Sequence, residues 1–510
     1  MNFKTAKSQV HSKAALAGFL AMLAMLIVLA FPASAQVAPQ VKLRQLSTDT
    51  FTNQNTQHAT EVEPDTYSFG NMFVAAFQVG RRYANGGSSD IGFATTTNGG
   101  ATWTNGYLPG LTVQKGGPFD TASDPAVVYD ARHAVWLIAT LGISDANGNT
   151  VNLVSSSADG VNWNNPVTVN NNSSYADKDW ITCDNTSTSK YYGNCYIEWD
   201  DAGNGDQIRM TTSSDGGKTW SAAINTNAFG TGGNPVVQAN GTVVVPFLGN
   251  EVDFLTSTNG GKSWNSPGVI SSISNHGVNG GLRAVFPFAS AAVGSDGTVY
   301  VAWSDCRFRS GCPSNDIVLS SSTDGKTWSS PTRIPIDAIS STVDHFLPGL
   351  AADPLTSGSS THLGLTYYYY PVSNCTQANC NLSVGFVYSH DAGNTWATAS
   401  TLAKGMHMLW LPNTTLGYMV GDYIATSYMN GKAFGVFAKA MAPKAGKFRE
   451  AMNTPSLGLY EMEEGEGTFV SSKGEQPVPD AKSDHPPYPY WDTESQFPKE
   501  NGVKPEVDRH

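Results

Sequence analysis

The sequence predicts an all-β chain of four-stranded antiparallel blades closed into a β-propeller, and three observations carry that expectation. A short turn motif recurs six times, as TTNGGATW ending at Trp103, SADGVNW at Trp163, SSDGGKTW at Trp220, STNGGKSW at Trp264, STDGKTW at Trp328 and HDAGNTW at Trp396. Its tryptophans lie 60, 57, 44, 64 and 68 residues apart, which suits one blade per copy better than a solenoid repeat. Each copy lies between a Ser/Thr-rich strand and a second strand, forming a β-hairpin, and two further strands recur between copies.

In chain order, Lys4, Lys7 and Lys13 precede an apolar run from Ala14 to Phe31 and the small-residue site Ala33-Ser34-Ala35. Residues 1–35 are therefore expected to be a secretory signal cleaved after Ala35. The apolar run is about long enough to span a bilayer, but the small-residue site behind it favours cleavage over anchoring. The mature chain is expected in the medium, periplasm or cell envelope, as a monomer not integral to a membrane.

Residues 40–460 are read as the propeller. In each turn motif an Asp or Asn side chain caps a tight turn, Gly supplies positive φ and the Trp covers the turn. The motifs are structural and do not form a metal or substrate site. Between them come PAVVYD and VWLIATLG, DWITCD and CYIEWDD, PVVQA and TVVVPFL, SAAVGS and TVYVAWSD, and LPGLAAD and LGLTYYYY. After the last motif, YIATSYM, AFGVFAKA and FREAMNT supply three strands, and VKLRQLS from the start of the mature chain completes their blade by circular closure. Seven blades are expected, six of them carrying the motif, with a six-bladed ring as the alternative. Closure removes exposed sheet edges. Residues 461–510, with EMEEGEG, PVPD and HPPYPYWD, are expected to form an acidic, Pro-rich tail without structure.

Composition narrows the function. A net charge of -12 excludes nucleic acid as a partner, because phosphate binding needs a positive surface. Six cysteines fall into local pairs, Cys183 with Cys195, Cys306 with Cys312 and Cys375 with Cys380, suggesting three loop disulfides in an exported chain. No CxxC or HExxH string calls for a metal, and no cofactor is expected. A structural calcium on Asp177, Asp179, Asp200 and Asp201 is left open, without EF-hand-like spacing to support it.

If the motif turns lie on one face, the starts of first strands and the ends of second strands meet on the other. Those positions hold Glu61, Glu63, Asp124, Asp177-Lys178-Asp179-Trp180, Asn234, Phe286-Pro287-Phe288, Asp344-His345 and Gly421-Asp422-Tyr423. They also hold Arg81-Arg82, Trp199-Asp200-Asp201, Asn250-Glu251, Asp305 with Arg307 and Arg309, and Tyr367 to Tyr370. Carboxylates, arginines and aromatic rings are thus expected around one mouth of the axis, the usual place for a propeller's site.

The six turn motifs and their flanking strands resemble the Asp-box (BNR) repeat, and the chain resembles the sialidase superfamily over roughly residues 40–460. FQVGRRYANGGSSDIGFATTTNGGATW is similar to the sialidase stretch that holds one arginine of the carboxylate-binding triad and the acid Asp. The resemblance implies Arg82 as that arginine, Asp90 as the acid, Arg307 as a second triad arginine and Tyr367 as the tyrosine nucleophile. Two departures stand against it. Where the family has Arg-Ile-Pro before the first motif, this chain reads HATEVEP, and the strand start expected to hold the family's Glu reads RAVFPFAS.

Two functions follow as expectations. One is a glycoside hydrolase of exo-α-sialidase type on terminal acidic sugars, with Asp90, Asp124, Asp179 or Asp344 as acid/base, Tyr367 as nucleophile, and Arg82, Arg307, Trp180 and Asp422 binding substrate. The other is a non-catalytic propeller at the cell envelope that binds glycan or protein through Trp180, Trp199, Phe288 and Tyr367 to Tyr370. Structural roles compete for each residue: Arg307 can pair with Asp305, and an Asp at a strand start can accept backbone N–H groups from the next blade.

Overall fold

The computed structural model describes residues 41–146, 148–169, 175–284, 286–459, 468–479 and 481. The expected signal segment 1–35 and the HPPYPYW stretch lie outside them. Among the described residues there is no α-helix, and none long and apolar enough to cross a membrane.

Among the described residues, seven blades of four antiparallel strands follow one another along the chain, not the six of the alternative. Blade 1 consists of Glu61–Phe69, Met72–Arg81, Ser88–Thr96 and Thr104–Tyr107. The first strands of blades 2 to 7 are Thr121–Asp130, Ala176–Cys183, Val236–Val237, Ser290–Val293, Asp344–Ala352 and Ala425–Met429. Side-chain alternation lets one strand serve two interfaces. In Cys195–Asp201, the second strand of blade 3, Ile197 and Trp199 pack with Leu137 and Ala139 of blade 2, whereas Tyr196 packs with Val243, Val245 and Phe247 of blade 4.

The motif turns are held as their residues imply. Asp215 Oδ1 accepts the N–H groups of Lys218 and Thr219 at 3.1 and 3.0 Å, and Asp391 Oδ1 accepts that of Thr395 at 2.7 Å. A Ser or Thr two residues before the Asp or Asn adds a bond from a turn glycine, as in Gly217 N–H to Ser213 Oγ at 3.0 Å. Trp220 Nε1 then donates to the Gly217 carbonyl at 3.1 Å. Disulfides join Cys183 to Cys195, Cys306 to Cys312 and Cys375 to Cys380.

Blade 7 is completed from the other end of the sequence. Leu43–Gln45 pairs antiparallel with Glu450–Pro455, placing Leu43 opposite Pro455 and Gln45 opposite Asn453. Flanking bonds extend the seam: Leu46 N–H to the Met452 carbonyl, Ser456 N–H to the Lys42 carbonyl, both 2.8 Å, and Met452 N–H to Ser47 Oγ, also 2.8 Å. Deleting residues 41–47 leaves Glu450–Pro455 as an open sheet edge. The truncated protein is expected to elute from size-exclusion chromatography as soluble aggregate, where the intact chain elutes as a discrete species.

Part of the tail departs from expectation. Phe469–Ser471 pairs with Thr395–Ala397 beside the sixth motif, and Ser472 Oγ donates to the Gly393 carbonyl at 2.9 Å. Farther on, Glu475 faces Arg333 at 3.4 Å and Val478 N–H donates to the Arg307 carbonyl at 2.8 Å. Thr468-Phe469-Val470 is a run of three strand-favouring residues, a signal too short to stand out from the surrounding Glu- and Pro-rich composition.

Candidate functional site

Four first strands share one distortion. The pairing register slips between Val62 and Asp65, Ser123 and Ala126, Asp177 and Trp180, and Phe346 and Gly349. Each slip holds a non-glycine residue at positive φ: Glu63 at 53°, Asp124 at 48°, Lys178 at 52° and Leu347 at 51°. In three of them the next residue is proline, which offers the ladder no N–H. Such bulges re-aim side chains, and backbone in this region costs on the order of 1 kcal/mol or more per residue. In blade 7 the same level is reached by Gly421, at φ 136°, where a Cβ would lie 2.8 Å from the Glu63 backbone.

The bulges gather charge at the mouth opposite the motif turns. Asp422 is the pivot: Arg283 Nε and Nη2 grip its carboxylate at 2.8 and 2.7 Å, and Lys178 Nζ lies 2.8 Å from Oδ2. Glu63 Oε1 accepts the Asp422 N–H at 3.1 Å. Asp124 accepts the Lys178 N–H at 2.9 Å and the Ser123 hydroxyl at 2.6 Å, with Lys178 Nζ 4.0 Å away. Burial alone would raise the Asp422 carboxyl, but Arg283 and Lys178 hold it below its ordinary range. Burial also opposes ionisation of Asp124, and Lys178 and Ser123 bring it below the usual value. Glu63 goes the other way: burial, then the charges of Asp422 and Asp124, push it up to about 8. Burial disfavours the Lys178 cation, yet Asp124, Asp177 and Asp422 raise it well above an ordinary lysine.

Below this layer runs an axial cavity of about 650 Å³, lined by first-strand residues or their flanks from all seven blades. Trp180 and Tyr423 meet edge to face in its wall, with ring centroids 5.0 Å apart, and the Tyr423 hydroxyl donates to the Pro125 carbonyl at 3.3 Å. Phe288 stacks on Phe286 at 5.2 Å on another side. Lys178 lines both this cavity and a small pocket that also holds Glu63, Asp124, Asp177 and Arg283. Toward the motif-turn face, the lining includes two exposed apolar side chains, Phe69 and Leu355.

Of the residues expected to catalyse or to bind substrate, the fold brings together Asp124, Trp180 and Asp422 beside Glu63 and Lys178. The others are placed elsewhere. Arg82 forms a forked pair with Asp145 at 2.7 and 2.6 Å. Arg307 grips Asp305 at 2.9 and 2.6 Å, donates to Ser271 Oγ at 3.0 Å and lies over Trp303. They belong to blades 1 and 5 and do not converge. Tyr367 is buried between blades 5 and 6 with Tyr300, Leu319 and Trp396, and burial raises its hydroxyl well above the ordinary value. Asp90 accepts the Thr112 hydroxyl at 2.6 Å and its neighbour's N–H at 2.7 Å, while burial pushes it up to about 7. Asp344 accepts the Asn315 N–H at 2.7 Å and faces His276 at 3.4 Å. Asp179 is buried, and its carboxyl oxygens have no hydrogen-bond partner. Arg283 is the residue that sequence reasoning missed, since it lies in the long link between blades 4 and 5, outside any strand pattern.

The chain matches no protein-family model and no curated protein sequence. Solved structures do resemble it. A protein of unknown function from Dyadobacter fermentans is 16% identical, covering 68% of this chain and 99% of its own, with a TM-score of 0.43. The intramolecular trans-sialidase of Ruminococcus gnavus is 15% identical, covering 75% and 90%, with a TM-score of 0.38. A PL25 ulvan lyase, a polysaccharide lyase, is 11% identical, covering 86% and 100%, with a TM-score of 0.47. These are likenesses of fold, and no residue role is transferred from them.

Proposed function

We propose that the protein is an exported glycan-binding propeller that takes a sugar segment into its axial cavity. The observation that supports this reading is the cavity wall itself. Trp180, Tyr423 and Phe288 offer apolar ring faces beside fixed polar groups, the combination that suits a sugar ring's apolar face and hydroxyl edge. Hydrolysis of a terminal acidic sugar is supported least. It needs free guanidinium groups around one carboxylate, and Arg82, Arg307 and Arg283 each already hold an aspartate.

A second reading rests on Glu63 and Asp124. A carboxyl held protonated beside one held ionised is the division of labour between a general acid and a general base. One experiment weighs both. The mature protein is screened for retention on immobilised neutral, amino and acidic polysaccharides, and incubated with fluorogenic glycosides of the same classes. Retention without turnover supports the binding reading, with Trp180→Ala expected to weaken it about ten- to thirtyfold. Turnover abolished by Glu63→Gln moves the assignment to hydrolysis, and neither retention nor turnover overturns both.

A further inference from the structure

The axial cavity has two unlike ends. First strands run from the mouth towards the motif turns, so a lining residue's place along its strand gives its depth. At the motif-turn end the lining is open to solvent: Phe69 is 45% and Leu355 74% exposed, and Ser295 of blade 5 and Asn430 of blade 7 are exposed as well. At the mouth end it is buried. Lys178, Asn234, Phe288 and Asp422 are none of them more than 9% exposed.

The ring's own connectivity shows what shuts the mouth end. Lys178 belongs to blade 3 and Asp422 to the entry of blade 7, with two blades between them on one side of the ring and three on the other. Their contact at 2.8 Å therefore crosses the axis, and Arg283 joins it from the link between blades 4 and 5. Trp180 and Tyr423 repeat the crossing just inside, edge to face. Between blades 4 and 5 the Phe288 ring lies so close to Gly232 that a Cβ there would meet it at 2.5 Å. A polymer cannot be threaded through a cavity capped in this way. Its volume of about 650 Å³ is that of a pocket for a small ligand, whose usual range is roughly 300–1,000 Å³, and it suits a short oligosaccharide.

The charges at the closed end are already taken. Lys178 is the one cation among the described lining residues, and Asp422 holds it. Asp65 also lines the cavity, with Oδ2 accepting the Val127 N–H at 2.7 Å. An acidic sugar would meet these two aspartates without a free cation to receive it, and a buried unpaired charge is costly. A neutral ring meets aromatic faces instead.

Building on the glycan-binding reading above, we propose that the cavity takes the uncharged end of a glycan chain, which enters from the motif-turn face and stops at Trp180 and Tyr423. Internal segments of a polymer are excluded by the cap, and acidic ends by the aspartates.

The test is calorimetric titration of the mature protein with linear hexasaccharides of glucose, xylose, mannose and N-acetylglucosamine, and with oligogalacturonate as the acidic probe. All six cysteines are in disulfides, so Ser295→Cys provides a single thiol at the rim, which a bulky maleimide adduct turns into a plug. Tyr83→Cys places the same adduct on the mouth face, where Tyr83 is exposed between the second and third strands of blade 1. Each variant before modification is its own folding control. A neutral hexasaccharide is expected to bind, and to bind about tenfold or more weakly when both its ends carry bulky groups or when the Ser295→Cys protein is modified. Modification of the Tyr83→Cys protein should leave binding unchanged. Binding that survives either block, or that falls with the Tyr83 adduct alone, overturns end-on entry and leaves glycan binding in place. Preference for oligogalacturonate over every neutral probe overturns the uncharged end. Binding of no probe overturns the proposal together with the reading on which it rests.

Discussion

Lys178→Met is expected to destabilise the protein by about 3–5 kcal/mol, the usual penalty for removing one partner of a buried ion pair. Lys178 is 6% exposed and lies between Asp422, Asp177 and Asp124 at 2.8, 3.7 and 4.0 Å. Methionine keeps much of the side-chain volume and removes the charge. Asp422 retains its fork from Arg283, while Asp124 keeps its backbone and hydroxyl donors but loses the cation. The measurement is the denaturant midpoint of unfolding with the slope held constant. A loss under about 1 kcal/mol would mean that these carboxylates are protonated or hydrated, and that Lys178 is not their counter-charge.

Stability is expected to fall by several kcal/mol, on the order of 5 or more, as pH rises from 5 to 8. Glu63 titrates at about 8 in the fold against 4.5 in the unfolded chain, and Asp65 and Asp90 at about 7 against 3.8. Burial is the main cause in each. Between those limits the folded state retains protons that the unfolded state has released, so raising the pH favours unfolding. The contribution is complete below the unfolded values and is lost as pH rises through the folded ones. Each unit is worth about 1.4 kcal/mol. Asp124 and Asp422, depressed by their cations, act in the opposite sense and withdraw support below about pH 4. The melting temperature should therefore peak near pH 5. Glu63→Gln keeps the size of the group without its titration and should make the alkaline limb shallower, with the Asp65 and Asp90 contributions remaining; an unchanged limb would refute the assignment to Glu63.

The ring was legible because its signals are local and repeated. The motif turns, the strand pairs, the cysteine pairs and the closing segment at Leu43 each announce themselves within a dozen residues. The site was legible only in part. Asp124, Trp180 and Asp422 were readable from their positions at strand starts. Tyr367 was misplaced by parity: along a buried strand, one residue more or less decides between a blade interface and its opposite side. Arg82 met Asp145 from a loop that the pattern leaves unassigned. The bulges did leave a signal, the dipeptides Glu63-Pro64, Asp124-Pro125 and Leu347-Pro348, whose recurrence at strand starts marks a break in the ladder.

The seam in blade 7 orders events in time. Ser47 and Met452 are bonded across 405 positions of sequence, so the strand synthesised first is among the last to find its partner. Bringing those ends together costs about 5 kcal/mol in chain entropy by the logarithmic loop law, and the ladder that rewards it cannot form until nearly the whole ring has emerged. Folding is therefore expected to end with a single slow latch. Until that latch engages the chain is an unclosed arc, vulnerable to proteases and to pairing with another copy.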